Sequence, residues 1–80
     1  PTAHREAGFV FAFYSNDHLP MHIHARKAGA VCVFLLGETG VEAPSIRENW
    51  GMSRADVRRA LEIVVANQEK MIAVWKAHLG

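Results

Sequence analysis

The segment Asp17-His18-Leu19-Pro20-Met21-His22-Ile23-His24 holds three of the chain's five histidines within seven positions. If the second half of it is a strand, His22 and His24 stand two residues apart. Both imidazoles then leave the same face, with Cβ atoms ~6.5–7 Å apart. Pro20 cannot continue a hydrogen-bonded ladder inward, so His18 belongs to the loop before the strand and can fold back toward the pair. Three neutral imidazoles from His18, His22 and His24 could hold zinc or another divalent transition metal and leave one coordination position open. Asp17 would serve as a fourth ligand or would orient a ring N–H.

The same residues support two other readings. Without a metal, His22, His24 and Arg26 on one face, with Lys27 beside them, form a site for a phosphate or carboxylate. Histidine there could act as general acid or base near neutral pH, which is the chemistry of metal-independent RNA cleavage. In the third reading His18 and His22 clamp the loop through backbone carbonyls and do no chemistry. Tyr14 is placed to bring its hydroxyl near this loop. Cys32 is expected in the core, and its relation to the histidines depends on hairpin register. A two-residue Ala28-Gly29 turn pairs Ala25 with Cys32 and puts the thiol on the face opposite His24; a three-residue turn pairs His24 with Cys32. No nucleophile elbow, phosphate loop, zinc-finger cysteine pair or dinucleotide fingerprint is present.

The elements that must position these residues are readable from periodicity. Phe9, Phe11 and Phe13 alternate with Val10, Ala12 and Tyr14, the period of a strand with its phenylalanine face inward. Ser15-Asn16-Asp17 is turn chemistry. His22 to Lys27 resumes the alternation, with Ile23 and Ala25 on the face away from the histidines. The apolar run Ala30 to Leu36 pairs with it as a hairpin around Gly29. Gly37 to Gly40 is a further turn, Val41-Glu42-Ala43 a short strand candidate, and Ser45 to Met52 reads as loop or helical turn.

Ser53, with Asp56 three positions on, predicts a helix N-terminus, and nothing breaks the helix before Gly80. About 26 residues give it a length of ~39 Å. Val57, Leu61, Val64, Val65, Ile72, Trp75 and Leu79 form the stripe expected to cover the sheet, and Gln68 falls within it. Ala60, Ile63, Asn67, Met71 and Val74 widen the apolar arc on one flank, calling for cover by Ser45–Met52 or by another molecule. Trp50 and Trp75 are expected in the core or at an interface. The predicted fold is α+β: a small antiparallel sheet of three to four strands packed against one long C-terminal helix, with residues 1–80 a single domain.

Eighty residues make a lean core, which favours a homodimer or a bound partner as a way to gain buried area. The net charge of +1 lacks the general signature of a polyanion binder, although five protonated histidines would raise it to +6. One cysteine cannot form an internal disulfide, and no apolar run is long enough to span a bilayer, so the cytoplasm is the expected compartment.

Phe13-Tyr14-Ser15-Asn16-Asp17-His18-Leu19-Pro20-Met21-His22-Ile23-His24 resembles the signature of a small bacterial family, domain of unknown function 4160. Its members typically read as an aromatic strand, then Asn-Asp-His, a proline-bearing pair and His-x-His. The C-terminal half is also similar, through Asn67-Gln68-Glu69 and Trp75. Leu19-Pro20-Met21 departs from the two adjacent prolines often found there. The resemblance implies one half of a two-gene, toxin–antitoxin-like module and assigns no catalytic residue.

Three functions are therefore weighed. The first is a component of such a module that binds a small protein partner through its sheet or helix surface. The second is a histidine- or metal-dependent enzyme acting on a phosphate-containing substrate such as RNA, using His18, His22 and His24. A DNA-binding regulator opening its recognition helix at Ser53–Arg59 is third, since one basic turn on a near-neutral chain is little to hold a duplex.

Overall fold

The computed structural model describes residues 1–79; Gly80, read as the helix stop, lies outside them. Five strands precede two helices: β1 (Thr2–Glu6), β2 (Phe9–Ala12), β3 (His22–Lys27), β4 (Ala30–Leu35), β5 (Ser45–Trp50), α1 (Arg54–Ala66) and α2 (Gln68–Leu79). The strands form an antiparallel meander in the order β1-β2-β3-β4-β5. Ala7-Gly8 and Ala28-Gly29 each close a hairpin with positive φ at both residues (53° and 80°, 49° and 83°). Two successive positive φ angles match the right-handed twist of the strands they join.

Five strands replace the predicted three to four. Val41–Ala43 is not a strand; that region contributes only an isolated bridge between Glu38 and Glu42. The additional strand is Ser45–Trp50, expected to be loop or helical turn. All six of its residues are exposed. It is held by ladder bonds to β4 rather than by burial, so it lacks the apolar period that identifies an inner strand. β1 likewise lies at an edge. Each edge pairing contains a register shift, between Thr2 and His4 and between Val33 and Phe34, a device that discourages further strand addition.

The single long helix is also corrected to two. Ser53 caps α1 as predicted, its hydroxyl accepting from the Asp56 N–H at 3.1 Å. At Asn67 the backbone leaves helical geometry (φ −119°, ψ 19°), and its N–H is shared between the carbonyls of Ile63 and Val64. The Asn67 amide also donates to the Ile63 carbonyl at 2.9 Å. The Asn67 side chain thus competes with its own backbone for the Ile63 carbonyl, the habit that makes Asn a weak residue within a helix.

Both helices pack on the phenylalanine face. Phe9, Phe11, Phe13, Ile23, Ala25 and Phe34 are buried against Ala60, Ile63, Val64, Met71, Ile72 and Trp75. The predicted stripe was therefore centred too far to one side. Ala60, Ile63 and Met71, assigned to its flank, are core residues; Val57 and Leu61 are half-buried, and Val65 is 53% exposed. An arc that wide does not define its own centre, and the break at Asn67 shifts the helical phase of α2 relative to α1. The sheet buries that flank, and Met52, from the Ser45–Met52 segment expected to cover it, joins the same core. Among the described residues no helix is long and apolar enough to cross a membrane.

Candidate functional site

The turn after β2 builds one side of the site. The Asp17 N–H donates to the Tyr14 carbonyl at 3.0 Å, while the Tyr14 N–H donates to Asp17 Oδ2 at 2.8 Å. A short acidic side chain bonding back to its own turn is the local habit of Asp, and it fixes the carboxylate at the end of β3.

β3 supplies the other side. Its register pairs Ala12 with His24 and Val10 with Arg26, so His24 and Arg26 share the sheet face that carries no helix. Ile23 and Ala25 point into the core, as the alternation predicts. His22 begins the strand where α2 reaches the sheet end. Its ring lies 5.2 Å from the Trp75 ring and 5.3 Å from the His24 ring, centroid to centroid, and the residue is only 5% exposed. On the open side the Tyr14 ring is 4.6 Å from His24. The Tyr14 hydroxyl does lie at this site, where it accepts from Arg26 Nη1 at 3.3 Å.

Asp17 sits between the two imidazoles. Its Oδ1 is 3.3 Å from His22 Nε2 and its Oδ2 is 3.8 Å from His24 Nδ1. One donor atom from each of Asp17, His22 and His24 lies within 4.8 Å of the others. The opposite nitrogen of His22, Nδ1, is 2.9 Å from the Pro20 carbonyl. A carbonyl can only accept, so Nδ1 carries a proton. In the neutral ring Nε2 is then a bare lone pair facing a carboxylate oxygen. Either a second proton or a cation at Nε2 is required to make that contact attractive.

His24 shows the same deficit. Its Nδ1 is buried and has no hydrogen-bond partner among the described residues. Burial pushes the His24 pKa below the usual imidazole value, with His22 and Arg26 adding to the effect against the pull of Asp17 and the Ala12 backbone. The ring thus favours its neutral form, which is the form that binds a metal.

The predicted trio is redrawn by this geometry. His22 and His24 come together, and Asp17 rather than His18 completes the group; His18 is exposed and outside it. Asp17 and His18 are adjacent in the chain, but the Asx turn aims Asp17 inward and leaves its neighbour outside. Arg26 is on the same face and exposed. The two-residue turn pairs Ala25 with Cys32, so the thiol is buried on the opposite face from His24. Sequence reasoning did not foresee Trp75 as the floor beneath His22, because residues 22 and 75 meet only through tertiary packing. It also did not foresee the Tyr14 ring packing at a tilt against His24, although an aromatic immediately before the turn was the available signal.

Residues 8–76 match the family described as a domain of unknown function (DUF4160). No curated protein and no solved structure matches the chain.

Proposed function

As this chain belongs to the DUF4160 family, whose description leaves the chemistry open, we propose a function from the site itself: the protein binds a divalent transition-metal ion through Asp17, His22 and His24. The observation that carries the reading is the buried His24 Nδ1, which has no hydrogen-bond partner among the described residues, together with His22 Nε2, which faces the same Asp17 carboxylate. A single cation meets both deficits, whereas a second proton on His22 leaves His24 Nδ1 orphaned. The donor set suits a borderline ion such as zinc. Bonds of ~2.0 Å in a tetrahedral site put donors ~3.3 Å apart; the three donor atoms here lie within 4.8 Å of one another, so binding would draw the side chains inward. Three protein ligands leave a position for substrate, and a bound metal would supply Lewis-acid polarisation there. The ligand set differs from the predicted one by the exchange of His18 for Asp17.

The test is titration of tag-free protein with zinc, following the ring resonances of all five histidines. His22 and His24 should shift with one equivalent at pH ~7.5. His18, His4 and His78 should not. Asp17→Ala should weaken zinc at least ~10-fold, and acid should weaken it too, because protons compete for the same nitrogens. Absence of any response at His22 and His24 would sink the reading.

A second reading is that the chain binds a small protein partner, within a toxin–antitoxin-like two-gene module in the bacterial cytoplasm. It is favoured by edge strand β5, where Trp50 is 64% and Ile46 50% exposed. Co-expression with the product of the adjacent reading frame tests it. A complex lost on Trp50→Ala would support it, and no complex with the wild-type chain would count against it.

A further inference from the structure

Arg26 lies on the open sheet face, and its guanidinium forms no ion pair among the described residues. Its one side-chain hydrogen bond there is to the Tyr14 hydroxyl at 3.3 Å. Lys27, next in the chain, points to the other face and is bonded to Asp56 at 3.1 Å. It is therefore removed from the phosphate site that the sequence suggested. In the Arg26–Tyr14 contact the hydroxyl oxygen accepts, so the hydroxyl hydrogen is left to donate elsewhere. Two donors, one of them permanently charged, thus flank the His24 ring on its solvent side. Among the described residues no carboxylate pairs with the guanidinium, and no acceptor takes the hydroxyl hydrogen.

The spacing along β3 connects this pair to the Asp17–His22–His24 group. His24 and Arg26 are alternate residues on one face, about 6.5–7 Å apart. One tetrahedral oxyanion covers that step. With a metal held at His24, it could lend one oxygen to the ion while another accepts from the guanidinium fork at ~2.8 Å. A phosphate monoester offers three free oxygens, one each for the ion, the guanidinium and the tyrosine hydroxyl, where a carboxylate offers two. We infer that Arg26 and Tyr14 form a phosphoryl-binding subsite adjoining the His24 edge of the site, and that the substrate class is a phosphate ester. This rests on the metal reading for the position of the bridging oxygen, while the Arg26–Tyr14 donors stand independently of it.

Inorganic phosphate, adenosine 5′-monophosphate and a short single-stranded RNA would be titrated calorimetrically into the wild-type chain at pH ~7.5, with and without one equivalent of zinc. Arg26→Ala, Arg26→Lys and Tyr14→Phe would be measured alongside. Arg26 is exposed and Tyr14 partly so, so these variants should fold. Arg26→Ala should weaken phosphate at least ~10-fold while zinc affinity moves less than ~2-fold; Arg26→Lys should recover part of the loss, having the charge without the planar fork. Tyr14→Phe should give a smaller loss in the same direction. Tighter binding of the mononucleotide would identify a terminal phosphate as the source, and tighter binding of RNA a diester backbone. Zinc binding without phosphate binding, or an Arg26→Ala variant equal to wild type, would overturn the inference and leave the metal reading intact. Arg26-dependent phosphate binding in a chain that takes no zinc would do the reverse.

Discussion

Asp17 faces two imidazoles that cannot both be satisfied by neutral tautomers, and this frustration is local to a few atoms. Elsewhere, polar side chains that enter apolar surroundings find ordinary partners. Gln68 lies in the helix stripe, yet its amide donates to the carbonyls of Leu36 and Glu42 at 2.8 and 2.9 Å. A half-buried amide needs partners, and this one finds them in backbone carbonyls at the turn after β4. Gln68→Ala should cost about 1–3 kcal/mol by leaving those carbonyls short of a donor, measured by urea unfolding. Cys32 gives a pH-dependent prediction. Burial raises its thiol above the ordinary value of 9.0, so the folded chain holds a proton that the unfolded chain releases. Stability should therefore be unaffected by this group below pH ~9 and fall above it. A Cys32→Ala variant should lack that share of the alkaline slope. Iodoacetamide should modify the native thiol far more slowly than the unfolded one at pH ~8.

Among the elements, α2 links the core to the site. Trp75 is 3% exposed, packs edge-on to Phe13 at 5.3 Å and covers His22. Trp75→Ala should cost about 3–5 kcal/mol, enough to threaten a domain of this size. Trp75→Phe should retain most of the stability. The alanine variant, if it folds, should also lose zinc affinity, because the His22 ring gains room to turn away from Asp17. Unchanged zinc affinity in a folded Trp75→Ala protein would show that the Asx turn and β3 alone position the ring. The break at Asn67 has a part in this link. It lets α1 pack against β4 while α2 reaches β1 and the end where His22 begins β3.

At the scale of the molecule, the accessible surface is 4760 Å². A compact monomer of 8.9 kDa is expected to expose about 4,800 Å². The single chain therefore exposes about the surface expected of a compact domain of its mass. The two tryptophans report on whether anything covers the remaining face. In a Trp75→Phe protein only Trp50 emits, and its emission should be red-shifted, readily quenched by acrylamide and independent of concentration. A blue shift as concentration rises would show that a second copy buries β5. The same shift on adding a partner would mark that partner's seat.

Much of the site was legible in the sequence because it is built by neighbours. Period two placed Ile23 and Ala25 inward and His24 and Arg26 outward, and the Ser-Asn-Asp turn foretold a fixed carboxylate. Ser53 likewise announced its helix through its own hydroxyl. Side-chain direction in a strand and capping at a helix end are decided within a few residues, so local order suffices to read them. The tertiary structure decided what depends on distant partners. The two-residue turn, chosen from two sterically allowed registers, sent Cys32 to the core. The strand character of Ser45–Trp50 came from β4's ladder, not from its own composition. Asp17 displaced His18 from the cluster for a related reason: which of two adjacent side chains faces His22 depends on the path of the loop, and that path is closed by Tyr14, Pro20 and the packed end of α2.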